Sequence, residues 1–486
     1  MQAIDIRKLA EQRKGELERR QKEAMGRWQS YIDIVETHYK SQGRELLEYK
    51  KANIAQACDN LFDFYVLNRM NGMISEATTS DAIAFARQML PTIPALLSSL
   101  VADEVSVVQT IDRPQAQVYF MNLKAATARG NVTAADSLIS AKTGHASGEG
   151  HRLYASDYVI NETLATGNGS TKHYTGILAR KPVIAATLVI SDGVETFTDN
   201  GSGVMVTDTS GGSNGTIVYA TGEYDVTFKT NVVNLVKIHA TTYRYNVESD
   251  TSGIGGIDFE VTAENVDAMV FPIKLNYNVF SAINLQKIHG MVLADEGMKF
   301  ATQEIKFAID QVVLKYVLAA AQNANAATAI GAFDCAVGTG QEWIWRQNQF
   351  NRYVSKGSAN IFAKTLRATG NIIIGGMNVC AMIENLPNFK PAAGIGTKPP
   401  AGPYVFGTLG NRMVIANPFY NADTYVLQFR GDNYLFAPII YAPYVPLYST
   451  DPVTLADFSV QRGFLSMAAV KVVNYGMFTY GTISNF

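Results

Sequence analysis

The sequence is poor in the residues that disulfide-stapled and metal-dependent proteins are built on. Three cysteines, Cys58, Cys335 and Cys380, occur in 486 residues; they lie far apart and are odd in number, which excludes a disulfide framework. Six histidines are too few for a chain organised around metal chemistry. Charge is also scarce: 17% of residues are Asp, Glu, Lys or Arg, below the roughly 25% of ordinary soluble proteins. The charges balance, 41 Lys and Arg against 43 Asp and Glu, so the basic excess of a dedicated nucleic-acid binder is missing. Long hydrophobic runs are missing too. The most apolar windows, 305–321 and 371–386, are interrupted by Lys315 and Asn378 and fall short of the roughly 20 residues needed to span a bilayer. The opening MQAIDIRKLAEQRKGELERR is charged where a secretory signal would be apolar. What is present is 47% hydrophobic residues, too many for a disordered chain, over a length that predicts roughly three domains. The expectation is a soluble protein made in a reducing compartment.

Along the chain, residues 1–75 differ from the rest. Segments 5–24 and 43–52 are rich in helix formers. Leu9 and Leu17 are sparse apolar anchors on a charged surface, so 5–24 is either a solvated arm or a helix that packs on a partner. Leu61, Phe64, Tyr65 and Leu67 give a later helix a better apolar face. Residues 89–123 then carry two prolines, an apolar helical pattern at Leu96, Leu97, Leu100 and Val101, and a proline-interrupted strand pair, VSVVQTI and QAQVYFM. Residues 124–157 are small, polar and glycine-rich and read as an extended loop. From 158 to 250 strands and turns alternate: Tyr224, Val226 and Phe228 share a face after a turn at Thr221-Gly222. His239, Thr241, Tyr243, Tyr245 and Val247 alternate with Thr242, Arg244 and Asn246. This predicts an inserted all-β module of roughly 100 residues.

The main fold resumes with an alternating strand over 270–280, Ile273, Leu275, Tyr277 and Val279 on one face and Lys274, Asn276 and Asn278 on the other. A helix follows from Ser281 as N-cap, interrupted near Gly290. A long helix then runs to about 322. Its Ile305, Ile309, Val312, Val313 and Tyr316 form one apolar stripe, with Lys306, Asp310, Gln311 and Lys315 on the other side. The end of the chain reads as a helix around 341–367, a strand over 371–375, a helix over 378–388 and several strands to Phe478. The predicted class is α+β with an all-β insertion.

No constellation for catalysis survives. Gly211-Gly212-Ser213-Asn214-Gly215 matches a hydrolase nucleophile pattern, but that chemistry needs a helix after the serine and TIVYAT is strand-like. His145, Glu149 and His151 are the only dense cluster of ligand-type residues, and they sit on a glycine-rich loop rather than a rigid element that fixes metal geometry. GNGSTKHYTG lacks the GK[ST] order of a phosphate loop, and Gly253, Gly255 and Gly256 miss the dinucleotide spacing. Cys58, Cys335 and Cys380 read as buried small hydrophobes or surface thiols. Trp343 and Trp345 read as core or interface residues. The sequons at Asn131 and Asn214 mean little without secretion. The expectation is no enzyme, no cofactor and no metal.

Three stretches carry a resemblance. LPTIPALLSSLVADEVSVVQTIDRPQAQVYFM (90–121) is similar to a proline-bearing helix followed by a strand. PIKLNYNVFSAINLQKIHGMVLADE (272–296) is similar to a strand, an L-x-x-x-H-G turn and an acidic entry into a long helix. GNRMVIANPFY (410–420), DTYVLQFRG (423–431) and the run from 436 to 478 with its Y-x-P-Y-V-P-L box and closing aromatic-Gly pair are the most specific. In this order they resemble the major capsid proteins of tailed bacteriophages, the Hong Kong ninety-seven type shell fold, and in particular its myovirus branch. The resemblance covers roughly half the chain, about 89–123 and 265–480, and leaves out 1–75 and 158–250. Where the family usually has a basic residue before the Tyr-Gly pair, this chain has Asn474, which puts a salt bridge there in doubt.

The resemblance implies a structural protein that self-assembles into hexamers and pentamers of an icosahedral head around packaged double-stranded DNA, held by non-specific contact. It implies an N-terminal helical arm (1–88), the start of the capsid fold with an extended loop (89–157), the inserted module (158–255), a peripheral strand and spine helix (256–339), an axial domain (340–440) and C-terminal strands returning to the peripheral domain (441–486). The extended loop would lie over a neighbour, and the arm would reach one. Relatives often lose an N-terminal segment to a maturation protease; a chain beginning at Met1 is expected to keep its own. The implied partners are copies of itself, scaffold, portal and decoration or vertex proteins, and no membrane. The implied location is the virion, with assembly in the host cytoplasm. Alternatives are a pentamer-vertex paralogue, an encapsulin-like compartment, a shell whose β module binds glycans, and a shell that cross-links a Lys to an Asn, for which no pair is nominated.

Overall fold

The structure is a computed structural model that describes residues 19, 22–41, 46–70, 100–130, 132–136, 138, 154–208, 211, 213–250, 254–338, 342–366, 368–392, 402–431, 437–450 and 452–486. It divides into two compact units, Met121–Val261 and the remainder, Met1–Phe120 with Thr262–Phe486.

The first elements named among the described residues are helices α1 (Gln29–Ser41), α2 (Glu48–Met70) and the one-turn α3 (Ala102–Val105), then strands β1 (Val107–Val108) and β2 (Gln115–Ala125). Eight strands follow: β3 (Tyr158–Thr166), β4 (His173–Ile177), β5 (Val189–Ser191), β6 (Thr196–Asp199), β7 (Val204–Thr207), β8 (Asn214–Val218), β9 (Glu223–Thr227) and β10 (Lys237–Arg244). Next come β11 (Ile257–Asp267), β12 (Met269–Asn278), α4 (Val279–His289), α5 (Leu293–Ala321), β13 (Gly331–Asp334), α6 (Trp343–Asn348), α7 (Phe350–Thr365), β14 (Ile372–Gly375) and α8 (Met377–Glu384). The chain closes with β15 (Phe389–Pro391), β16 (Tyr404–Leu409), β17 (Arg412–Ala416), β18 (Thr424–Gln428), β19 (Ile439–Ser449), β20 (Val453–Thr454), β21 (Ser459–Val472) and β22 (Phe478–Ser484). The class is α+β, as expected.

The larger unit is built on α5. Its 29 residues are mostly good helix formers, and Asp295 and Glu296 in the first turn suit the positive end of the helix dipole. The helix packs against the sheet β1-β19-β21-β12. Ile305, Ile309, Val313 and Val317 fall at four-residue steps and are buried, with Leu314, Met298 and Ala301 beside them. The stripe read from the sequence is therefore rotated. Val312 is only half-buried, Tyr316 is exposed, and Asp310, placed on the solvent side, is fully buried. The reason is a polar one: Asp310 Oδ1 accepts the Ala102 N–H at 2.9 Å, so the carboxylate is drawn inward to cap the start of α3. Upstream, β12 ends at Asn278, whose side chain accepts the Phe280 N–H. The N-cap is therefore Asn278 and not Ser281. The interruption at Gly290 stands: its φ of 68° is the left-handed C-cap conformation that glycine adopts without strain.

A seven-stranded sheet, β13-β22-β18-β14-β17-β16-β15, completes this unit. β14 runs parallel to β17 and antiparallel to β18, and every residue in it is buried. Its alternation feeds two cores: Ile372 and Ile374 face the one containing α5, and Ile373 faces one filled by Phe350, Val354 and Ile361 of α7 and Val379, Met382 and Ile383 of α8. The helix predicted over 341–367 is two helices broken at Gln349. VSVVQTI and QAQVYFM do not pair with each other. β1 joins β19 in parallel, and β2 joins β11. Near the C-terminus, Asn474 accepts the Gly476 N–H at 3.0 Å and so starts the turn Tyr475–Met477; capping is what this side chain does in place of a salt bridge.

Of the predicted arm, most of 1–24 and the side chains of Tyr65 and Leu67 lie outside the described residues, as do Leu96 and Leu97. The described helices α1 and α2 pack on their own sheet: Tyr31, Ile32, Val35, Ile54, Cys58 and Leu61 form a core with Val445 and Tyr448 of β19. Phe64 meets Tyr448 edge to face, ring centroids 5.2 Å apart. Two asparagines seven positions apart on α2 serve backbone groups of β1, of the segment after it and of β19. Asn53 Nδ2 donates to Val108 O at 2.8 Å, and Asn60 Nδ2 donates to Ile111 O and Tyr444 O at 2.7 and 3.1 Å.

The unit Met121–Val261 contains the sheet β3-β10-β5-β6-β7-β8-β9-β4 around Phe197, Phe228, Tyr243 and Tyr245. Tyr224, Val226 and Phe228 are buried on one face, as predicted. The alternation read through β10 is not continuous. Ile238 and Ala240 are buried, then Tyr243 and Tyr245, because register shifts near His239 and between Ala240 and Thr242 insert a bulge that reverses which side chains face inward.

Candidate assembly surfaces

The residues singled out for chemistry are not brought together. His145, Glu149 and His151 lie outside the described residues, as do Asn131, Gly212 and Gly253. Ser213 leads into strand β8 and not a helix. No group of three or more His, Cys, Asp or Glu that could hold a metal ion occurs among the described residues. All three cysteines are buried. Burial pushes the Cys58 and Cys380 thiols up to about 12, the reverse of what a nucleophilic thiolate needs. No described helix is long and apolar enough to cross a membrane.

Several buried ionisable groups instead meet at the turn around α3. Asp103 is paired with Lys50 of α2 at 2.7 Å, and Glu104 with Arg430 at 3.8 Å. Ala102 N–H goes to Asp310 of α5, and Val105 O accepts from Gln428 Nε2 at 2.8 Å. One turn is thus tied to the N-terminal helices, the spine helix and the second sheet. Its role is structural: Asp103 and Glu104 each have a cationic partner, and burial raises the Asp310 carboxyl to about 6 against the pull of Lys306.

What the chain does present is apolar surface. Helix α4 has six apolar residues in eleven, Val279, Phe280, Ala282, Ile283, Leu285 and Ile288, and none is buried. A helix of that composition ordinarily sits in a core. Strand β11 carries exposed Ile257, Phe259 and Val261 on alternate positions, on a two-stranded ribbon with β2. Trp343, Ile344 and Trp345 of α6 are exposed beside Phe486, so two of the three tryptophans of the chain are surface residues. Exposed apolar clusters of this kind are where interaction surfaces are sought.

Comparison with known proteins shows the family. Residues 83–480 match the family described as major capsid protein Gp23. The chain belongs to that family. It is a shell-forming structural protein of the virion capsid, not an enzyme, and the vertex-paralogue and encapsulin-like readings are not favoured. Among curated relatives, the major capsid protein of Vibrio phage KVP40 is 21% identical over 463 residues, covering 90% of this chain and 87% of that one. The major capsid protein of Escherichia phage AR1 is 22% identical, covering 87% and 83%. Among solved structures, the capsid of the Myoviridae phage XM1 is 9% identical with a TM-score of 0.34, covering 70% of this chain and 94% of that one. The likeness to tailed-phage capsid proteins read at 90–121, 272–296 and 410–478 therefore stands, and the match extends through the inserted segment 158–250, which the sequence reading left outside. Residues 1–75 fall before the range that the family model matches, but the 90% coverage by the KVP40 protein reaches into them.

For this Gp23-type capsid protein the exposed apolar residues are candidate contact residues, and sequence reasoning passed over most of them. The signal at α4 was present: its apolar residues are spread around the helix without a polar face. The signal at β11 was a plain alternation in a segment read only as a boundary.

Proposed function

We propose that this chain is the hexamer- and pentamer-forming subunit of an icosahedral phage head. α5 and the sheet β1-β19-β21-β12 would form the peripheral domain, 340–440 the axial domain facing the capsomer centre, and the 441–486 strands the return to the periphery. In this reading 1–88 is a helical arm, the β2–β11 ribbon is the extended loop laid over a neighbouring copy, and the module 158–255 is inserted between its two strands. The packaged double-stranded DNA is held by generic contact, consistent with a net charge of -2. Scaffold, portal and decoration proteins are the other partners, and assembly takes place in the host cytoplasm.

The observation that carries the reading is the family match over 83–480, joined to apolar surface left open on β11, α4 and α6. Repeated heterologous contacts close into rings and cages with no single strong interface, because each copy makes many. Electron microscopy of particles formed by the purified chain tests it. Closed shells with five- and six-fold capsomers are expected, and a monodisperse monomer over a wide range of concentration and ionic strength would refute it.

A further inference from the structure

We infer that helices α1 and α2 are a cover over a strand-addition site, the outer edge of β1, which an extended segment of a second copy takes when the cover lifts. The inference rests on the shell reading above and adds to it a contact that holds the free subunit closed. In the sheet β1-β19-β21-β12, β1 is an edge strand. The chain keeps its course along β19 past β1: the N–H groups of Gln109 and Ile111 donate to Tyr441 O at 2.9 Å and to Pro443 O at 3.2 Å. Backbone groups alternate sides along a strand, so those of Val108 and Thr110 point outward, where a further strand would pair. Among the described residues no strand pairs there. The side-chain amide of Asn53 from α2 fills the place, Nδ2 donating to Val108 O at 2.8 Å and Oδ1 accepting the Thr110 N–H at 3.4 Å. It donates and accepts as a peptide group of a neighbouring strand would. Two turns on, Asn60 Nδ2 donates to Ile111 O at 2.7 Å. Covering an edge with a helix is one of the ways proteins keep it from pairing with another chain.

Three observations mark this cover as one that comes off. Its seam is not close-packed as a permanent core is: a cavity of about 30 Å³ lies between α2 and the sheet, lined by Ile54, Ala57, Leu100, Val108, Tyr441 and Pro443 among others. The buried Tyr31 hydroxyl under the helices and the buried Gln109 Oε1 at the edge have no hydrogen-bond partner among the described residues, a shortfall that a fixed interior seldom keeps. The family model begins at residue 83, so α1 and α2 lie outside its range and the sheet they cover lies inside. Lifting them bares Val445 and Tyr448 of β19, apolar surface that an incoming chain gains by burying. A strand edge binds through main-chain groups, which recognise extended backbone rather than one sequence. In a shell built of one chain, that backbone is a second copy's.

Amide hydrogen exchange on the purified full chain alone, before and after it forms particles, tests this. The free subunit should protect both α2 and the segment around Thr110. In particles α2 should exchange at least about tenfold faster, while the segment around Thr110 stays protected because a strand has replaced Asn53. Equal protection of α2 in both states would overturn the inference. A reversible lock gives a second measurement. Asn53→Cys with Thr110→Cys joins the cover to the edge, where Thr110 Oγ1 already donates to Asn53 O at 3.1 Å; closure is read as a mobility shift on a non-reducing denaturing gel. The native thiols are buried and give little background. The oxidised chain should melt no lower than the reduced chain and form particles at least about tenfold less, since the open state is withdrawn from the equilibrium, and a reducing agent should restore them. Equal particle numbers from the oxidised and reduced chain would mean that α2 stays in place and the inference is wrong. If the unaltered chain forms no particles at all, the shell reading fails and this inference with it.

Discussion

Asp310 offers a quantitative check on how the spine helix is held. Its side chain is fully buried; Oδ1 takes the Ala102 N–H at 2.9 Å and Oδ2 has no hydrogen-bond partner. Burial raises its pKa from 3.8 to about 6, against the opposing pull of the Ala102 and Val101 N–H groups and the Lys306 charge. An acid whose pKa is higher folded than unfolded binds its proton more tightly in the native state. Its effect on stability is therefore absent below the unfolded value, turns unfavourable as pH rises from about 4 to about 6, and is constant above. Two pKa units correspond to about 3 kcal/mol lost at neutral pH. Asp310→Asn keeps an acceptor for Ala102 and removes the charge, and leaves one buried amide donor unpaired at a cost of about 1 kcal/mol. The variant should be about 2 kcal/mol more stable than the parent at pH 7.5 and no more stable at pH 4.5. Urea unfolding of unassembled subunits across that range measures it, and because all other titrating groups are shared, they cancel in the difference. A variant-minus-parent difference that stays flat from pH 4.5 to 7.5, at equal m values, would refute the reasoning.

Three further outcomes follow from the packing. Val313→Asp places an unpaired charge in the core between α5 and the sheet, where Val313 is fully buried, and should cost about 4 kcal/mol or more. Val312→Asp, at a half-buried position, should cost clearly less, and electron-microscopic particle counts should rank them in that order. In Gly376→Ala the new Cβ would stand 2.3 Å from Asn421 O and 2.6 Å from Ala422 O; backbone atoms cannot step aside, so a loss of about 2 kcal/mol or more is expected in urea midpoints. Cys58 and Cys380, with thiols raised to about 12 by burial, should resist a disulfide reagent at pH 8 in the native subunit and react at once in denaturant. Fast labelling of either native thiol would contradict the packing of α2 or α8.

The elements most legible in the sequence are those whose periodicity is local. α5 ends at Ala321 against an expectation of about 322. β12 alternates as read, and Gly290 breaks the helix where a left-handed residue was needed, because these features depend on neighbours three or four positions away. The sequence alone also excluded a disulfide scaffold and left catalysis without a constellation, since both require residue types that are absent or scattered. Tertiary structure decided what periodicity does not carry. Asp310 reads as a solvated charge until the backbone of α3, some two hundred residues earlier, is placed against it. The bulge in β10 turns the alternation over because one extra residue costs little locally and is fixed only by pairing with β3 and β5. The N-cap moved to Asn278 because the strand pairs with β21 to its last residue. The same holds for the exposed helix α4: whether an apolar residue is core or contact is set by what lies across from it, a relation between distant segments that no single stretch of sequence contains.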